Sequence, residues 1–493
     1  MNRRLNRRSL VAGIGMVGAA LVAACSSGTS PSAASTAAPA QAPSSSSAAP
    51  TAAAAKPASA ANAAPAAAPT AAPQAQAATG SAQKIQMNWW THGAEEVNKK
   101  KMLGILVDTY HAKHPNETVT ITWTQMPGIW QQLQAAFTAD SGYPDIFWFD
   151  RTHDQWAVAG WVADLTNGIN WSNLADWGKT AGLMPGPDGK DHIYLFPEYA
   201  STGELYYNKQ MFKDFGINVP ANAQFGEDDF KTVVQTVTGK GVAAFANANG
   251  DRTTPGQNLP TYLLLSKLGQ DDMVKLYKGQ IPWTDPRVVA VFDYFEQLVK
   301  LHAYPATFSS MTLSESHHYF HTEHKAAMFP CPSWYTARAF VSVDQGGQPA
   351  DFQLGFLEYP AMKDGQGIKQ KYLAPGGAQT AAAKSKYRDQ AIAVVNGYTD
   401  VDWATQWVGV TSNPTAVKID ATKIKSNYPS YWNDYFKAQD GYTMVVNSDP
   451  SNVATPGQYD VWVQVVSSGL AGGLLTAQQA IQQLDAGWKK NAK

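Results

Sequence analysis

The feature that most constrains this chain is a break in composition near residue 84. Every Trp, Tyr and Phe lies beyond it, 16, 21 and 18 of them respectively. Residues 26–83 are almost wholly Ala, Pro, Ser, Thr, Gly and Gln, with Lys56 the only charge. Such a tract cannot bury enough apolar surface to offset its chain entropy. Its prolines interrupt the Ala runs and favour extended, semi-rigid conformations. It reads as a tether, or a glycosylated stalk. Any core belongs to residues 84–493, enough chain for two domains of ordinary size.

The N-terminus gives the tether something to hold. Arg3, Arg4, Arg7 and Arg8 form a basic region without acidic residues. Leu10 to Ala24 is unbroken apolar and Gly sequence. At about fifteen positions it is short of the roughly 20 a bilayer span needs, and it suits a signal peptide. "VAAC" resembles a bacterial lipobox, in which Cys25 is lipidated and becomes the new N-terminus. Acyl chains anchor a protein through about 0.8 kcal/mol per buried CH₂, without a membrane-spanning helix. The pair Arg7-Arg8 in "NRRSLV" also resembles a twin-arginine export signal. The expected location is therefore outside the cytoplasm, on the cell membrane, with residues 1–24 removed and 25–83 as lipidated tether.

Beyond residue 84 strands and helices alternate. "KIQMNWW" reads as a strand, followed by Leu103, Leu106, Val107 and Tyr110 at helical spacing. "VTITW" alternates as a half-buried strand, a helix follows around 131–139, and "DIFWFD" is an apolar run suited to burial on both faces. This βαβαβ start implies an open, mostly parallel α/β sheet, with ligands beyond the carboxyl ends of its strands. Asp150 and Arg151 fall directly after the third strand. "GVAAFANANG", "KAAMFP" and "FQLGFLEY" suggest strands of a second α/β body, and "KYRDQAIAVVNGYTD" a helix.

Several stretches together resemble the extracellular solute-binding proteins of ABC importers, in particular the carbohydrate-binding group that includes maltose-binding protein. They are "YPDIFWFDR" with "AGWVADLT", "IYLFPEYASTGELYYNKQMFKDFGI", "HKAAMFPCPSW", "APGGAQTAAAKSKYRDQAIAVVNGY" and "YDVWVQVV". His324 stands where that family usually has Gly, and Ser201 where maltose-binding protein has an acidic sugar contact. The resemblance implies an α/β, two-lobed periplasmic-binding-protein-like fold with a ligand cleft between the lobes. Lobe one would comprise 84–195 and 360–414, and lobe two 196–359 and 415–460. Crossovers are expected near Phe196, Tyr359 and Pro414, and residues 461–493 would pack on lobe one as closing helices. The implied function is capture of a sugar or oligosaccharide by hinge closure and its delivery to permease subunits, by a monomer without cofactor.

A sugar offers hydroxyls to polar side chains and C–H faces to aromatic ones. Trp334 and Trp462 match the family's stacking positions, and Asp150 and Arg151 a polar pair. Trp90 and His92 at the end of the first strand, and Trp130 and Gln131 at the start of the second helix, are expected on the ligand side. Glu198 lies at a crossover. Gly376 and Gly377 could let backbone N–H groups approach a ligand. In "SESHHYFHTEHK", His317 and His321 stand four apart, and His318, His321 and His324 three apart. No Cys or further His completes a ligand set, so the segment reads as a solvated face and no metal is expected.

The 39 acidic and 38 basic side chains, without a Lys/Arg cluster, speak against nucleic acid. Cys331 is the only other cysteine, which leaves no disulfide within the mature body. Two alternatives remain at this level. A tethered glycoside hydrolase would need two carboxylates about 5–9.5 Å apart across one sugar, with Asp150 and Glu198 as the candidates. A binder of a non-sugar solute, such as a polyamine or polyol phosphate, would want more carboxylates or more Arg.

Overall fold

The computed structural model describes residues 84–125, 128–250, 258–446 and 448–492. The signal segment, Cys25 and the tether lie outside the described residues. No helix among the described residues is long and apolar enough to cross a membrane.

The first sheet follows from the alternating sequence at its start. Its strands run in the order Glu117–Trp123, Ile85–Thr91, Ile146–Phe149, Ala378–Ala381, Phe196–Pro197. The first three are parallel, with Met87 opposite Val119 and Trp89 opposite Ile146. Met87, Trp89 and Thr91 alternate into the core, while all four residues of Ile146–Phe149 are buried. Helix Val97–Lys113 buries Met102, Leu103, Leu106, Val107 and Tyr110, the stripe its spacing predicts. Two further strands, Ala378–Ala381 and Phe196–Pro197, join antiparallel. The sheet is thus mixed at one side, because later segments return to it.

The second sheet is built around Ala200–Asn208, nine residues that are all buried. Along one half it pairs with Gln370–Pro375, along the other with Leu354–Ala361, and it also pairs with Ala326–Pro332, all antiparallel. Ala243–Phe245, Thr443–Val445 and Gln224–Gly226 complete the sheet. Two polar residues of the central strand, Thr202 and Glu204, are paired inside. Lys371 Nζ lies 2.9 Å from Glu204 and 3.0 Å from Glu358, and Thr202 donates to Glu204 at 2.7 Å.

The chain passes between the sheets through Glu198-Tyr199 and again through Gly376-Gly377. The two passages run side by side: Glu198 N–H donates to Gly377 O at 3.0 Å and Gly376 N–H to Tyr199 O at 2.9 Å. Ala200 N–H donates to Pro414 O beside them. The passage expected near Tyr359 therefore lies near Gly376, because Gln370–Pro375 still belongs to the second sheet. The closing helices were expected on the first lobe. They pack instead on the core of the second sheet, where Trp462, Leu484 and Trp488 join Tyr277, Trp283 and Phe292. Trp488 Nε1 donates to Tyr277 O at 2.8 Å, which fixes that placement.

Candidate functional site

A cleft of about 540 Å³ opens beyond the carboxyl ends of the first sheet's strands. That volume falls in the range of about 300–1,000 Å³ typical of small-ligand sites. One wall comes from His92–Val97, which follows the first strand, from Gln125 after the second, and from Trp148 within the third. Tyr199 comes from a crossover. The opposite wall is the start of helix Leu313–His321, with His317 and His318, and the turn after Ala326–Pro332, with Trp334 and Arg338. Asn413 also lines it.

Two indoles, the Tyr199 phenol and three imidazoles give the cleft its aromatic surface. The His92 ring stands edge-on to Trp148, centroids 4.1 Å apart. Trp334 carries the Arg338 guanidinium over its ring at 5.3 Å. Three buried polar atoms of lining residues have no hydrogen-bond partner among the described residues: Trp148 Nε1, His317 Nε2 and Asn413 Oδ1. Leaving such atoms unpaired costs about 1–3 kcal/mol each.

Behind the first wall, Lys99 is buried and lies 2.7 Å from Glu198 and 3.6 Å from Glu96. Its ammonium sits 5.6 Å from the Tyr199 ring centroid. Burial and the Lys99 charge lower the His92 pKa to about 3, so its imidazole is neutral. Burial opposes charge on Glu96, yet Lys99, with His92 and Arg338, holds its carboxyl below the usual range. Burial, then Arg338, also depresses His317 well below the ordinary histidine value.

Of the side chains expected from sequence, His92 and Trp334 line this cleft. Trp130 backs it, stacking on His153 at 4.1 Å and tilted against Trp148 at 4.8 Å. Trp90 is half-buried against the same aromatic cluster. Gln131 is exposed on its helix. Asp150 lies 3.3 Å from His153, and Arg151 donates to Ala181 O and Leu183 O at 2.9 Å, fastening a turn to a hairpin. Neither is among the residues lining the cleft, and neither is Glu198, whose carboxylate is held by Lys99 and Gln379.

The glycines act on the lining from behind. A Cβ on Gly376 would lie 1.9 Å from the Tyr199 ring, and one on Gly377, at φ +94°, 2.6 Å from Trp148 Nε1. They give room to two aromatic residues of the cleft. Trp462 sits elsewhere, fully buried in the second core at 5.7 Å from Trp283 and 6.2 Å from Tyr277. The histidine segment is not the solvated face expected. His317 and His321 turn inward, His321 holding the Tyr335 hydroxyl at 2.8 Å, and only His318 and His324 are exposed. Among the described residues no group of three His, Cys, Asp or Glu could hold a metal ion.

Sequence reasoning passed over Trp148, Glu96, Lys99, Arg338 and Asn413, and read His317 as part of a solvated face. Only Arg338 carried a readable signal, standing four residues after Trp334.

The chain shares this architecture with known proteins. A family model described as bacterial extracellular solute-binding protein matches residues 106–396. The multiple sugar-binding protein of Streptococcus mutans is 25% identical over 324 residues, covering 60% of this chain and 71% of that one. The structure of a chitin oligosaccharide binding protein superposes with a TM-score of 0.69 at 19% identity, over 83% of this chain and 99% of that one. RafE in complex with raffinose gives a TM-score of 0.64 at 17% identity, over 83% and 100%. With more than half its length matched, this chain belongs to the bacterial extracellular solute-binding protein family.

Proposed function

We propose that this protein captures a neutral sugar or oligosaccharide in the cleft, closes on it about the paired crossovers, and delivers it to an ABC permease. The observation that carries this reading is one cleft lined by the indoles of Trp148 and Trp334 and by the polar side chains of His92, Gln125, His317 and Asn413. Indole faces suit C–H patches, and side-chain amides and imidazoles suit hydroxyls, which donate and accept. Relatives named for sugars support the same class. Glu95, Glu96 and Arg338 are the charged lining residues, with Lys99 and Glu198 paired behind them. That balance suits neither a polyamine nor a phosphate. Asp150 and Glu198, the carboxylates a hydrolase reading would use, are not lining residues.

A thermal-shift screen of the full chain against sugars, polyols, polyamines and amino acids tests this. A sugar should raise the midpoint, since a ligand that binds only the folded state stabilises it. A response to polyamines or amino acids alone would overturn the reading.

The body works as a monomer on a lipid anchor at Cys25. Cys25→Ala should move the protein from the membrane fraction to the soluble fraction. Its retention in the membrane would contradict the anchor.

A further inference from the structure

Glu96 and Arg338 come from opposite walls of the cleft. Glu96 directly precedes helix Val97–Lys113 on the first sheet, and Arg338 lies in helix Thr336–Ala339 after a strand of the second. Arg338 Nη2 is 3.9 Å from Glu96 Oε1. A partly exposed ion pair of this kind is usually weak, because holding two long side chains in one geometry costs entropy. Here each partner is held from behind by its own wall. The guanidinium rests on the Trp334 ring at 5.3 Å, an arrangement favoured by the ring's quadrupole. The Glu96 carboxylate lies 3.6 Å from Lys99 Nζ, itself fixed by Glu198. Both charges are placed before they meet, so the pair forms at little further entropic cost.

We propose that Glu96 and Arg338 form an electrostatic latch across the cleft, which biases the protein toward its closed form before any ligand arrives. The inference rests on the hinge in the proposed function, but not on which ligand is bound. The latch sets the fraction of molecules open to entry, because a ligand shifts such an equilibrium only by its differential affinity for the two forms. It also gives Arg338 two neighbours that a ligand stacking on Trp334 must share.

The test needs no ligand. The full chain with Cys25→Ala carries spin labels at Asp108→Cys and Gln235→Cys, exposed positions on helices of the first and second sheets. Double electron–electron resonance then reads the distance between them without sugar. Arg338→Gln should shift the distribution to longer distances, and Glu96→Gln should repeat the shift from the other wall. Raising NaCl from about 0.01 M to about 1 M, which shortens the screening length from about 30 Å to about 3 Å, should lengthen the distance in the parent chain and leave Arg338→Gln unmoved. Superimposable distributions for all three chains at both salt concentrations would overturn the latch. A failed sugar screen would leave this result unaffected, so the two claims fail separately.

Discussion

Lys99 Nζ lies 2.7 Å from a Glu198 carboxylate oxygen, with the Lys99 side chain 1% exposed and that of Glu198 0%. The pair joins a helix of the first sheet to the crossover between the sheets. Gln379, on the returning strand, donates to Glu198 and accepts from Trp89 Nε1 at 2.8 Å. A buried pair contributes little beyond an apolar replacement, but removing one partner leaves an uncompensated charge.

Lys99→Met should therefore lower folding stability by about 3–5 kcal/mol at neutral pH. Burial opposes the Lys99 charge, but Glu198 and Glu96 raise its pKa above the ordinary lysine value. A raised lysine contributes stability that is fully present below its unfolded pKa and is lost only in strong alkali. Urea titrations at pH 7 measure the loss. Unchanged stability would mean the pair is not formed as described.

The buried histidines predict the opposite pH dependence. Burial lowers His321 to about 4 and His317 well below its ordinary value. Between the unfolded histidine value of about 6.5 and the folded one, the unfolded chain binds more protons. Stability should fall as pH drops through that window, by at most about 1.4 kcal/mol per pH unit for each histidine. His321→Gln should be less stable at pH 7 yet show a shallower slope between pH 6.5 and 4. An identical slope would contradict the inward placement of that ring.

Trp462 and Trp334 should separate cleanly. Trp462→Ala empties a site in the second core and should cost about 3–5 kcal/mol of stability. Trp334→Ala should cost much less, because that ring is only partly buried against its core. Equal losses in parallel urea titrations would contradict the assignment of one ring to the core and the other to the cleft.

The first three strands and the helix between them were legible because alternation and helical spacing left little choice. The strand Ala200–Asn208 was not, since "ASTGELYYN" has no apolar alternation. Its polar members are buried only because Lys371 and Tyr435 come from distant segments to meet them. The site was legible only in His92 and Trp334, for a related reason. Position after a strand identified His92, but the same rule chose Asp150 and Arg151, which turn to a neighbouring His and to backbone carbonyls instead. Trp148 hid inside an apolar run that reads as pure core. Trp462 shows the limit of residue type: an indole packs in a core as readily as on a sugar, and only its neighbours decide.

The central claim is that the cleft binds a carbohydrate through Trp334. Isothermal titration of the parent chain and of Trp334→Ala, with the sugar that gives the largest thermal shift, tests it most directly. The parent should bind one sugar per chain. Loss of the indole platform, worth about 1–3 kcal/mol on area grounds, should weaken binding about 5- to 150-fold. Equal affinity in the two chains, or no sugar that binds the parent at all, would contradict the account.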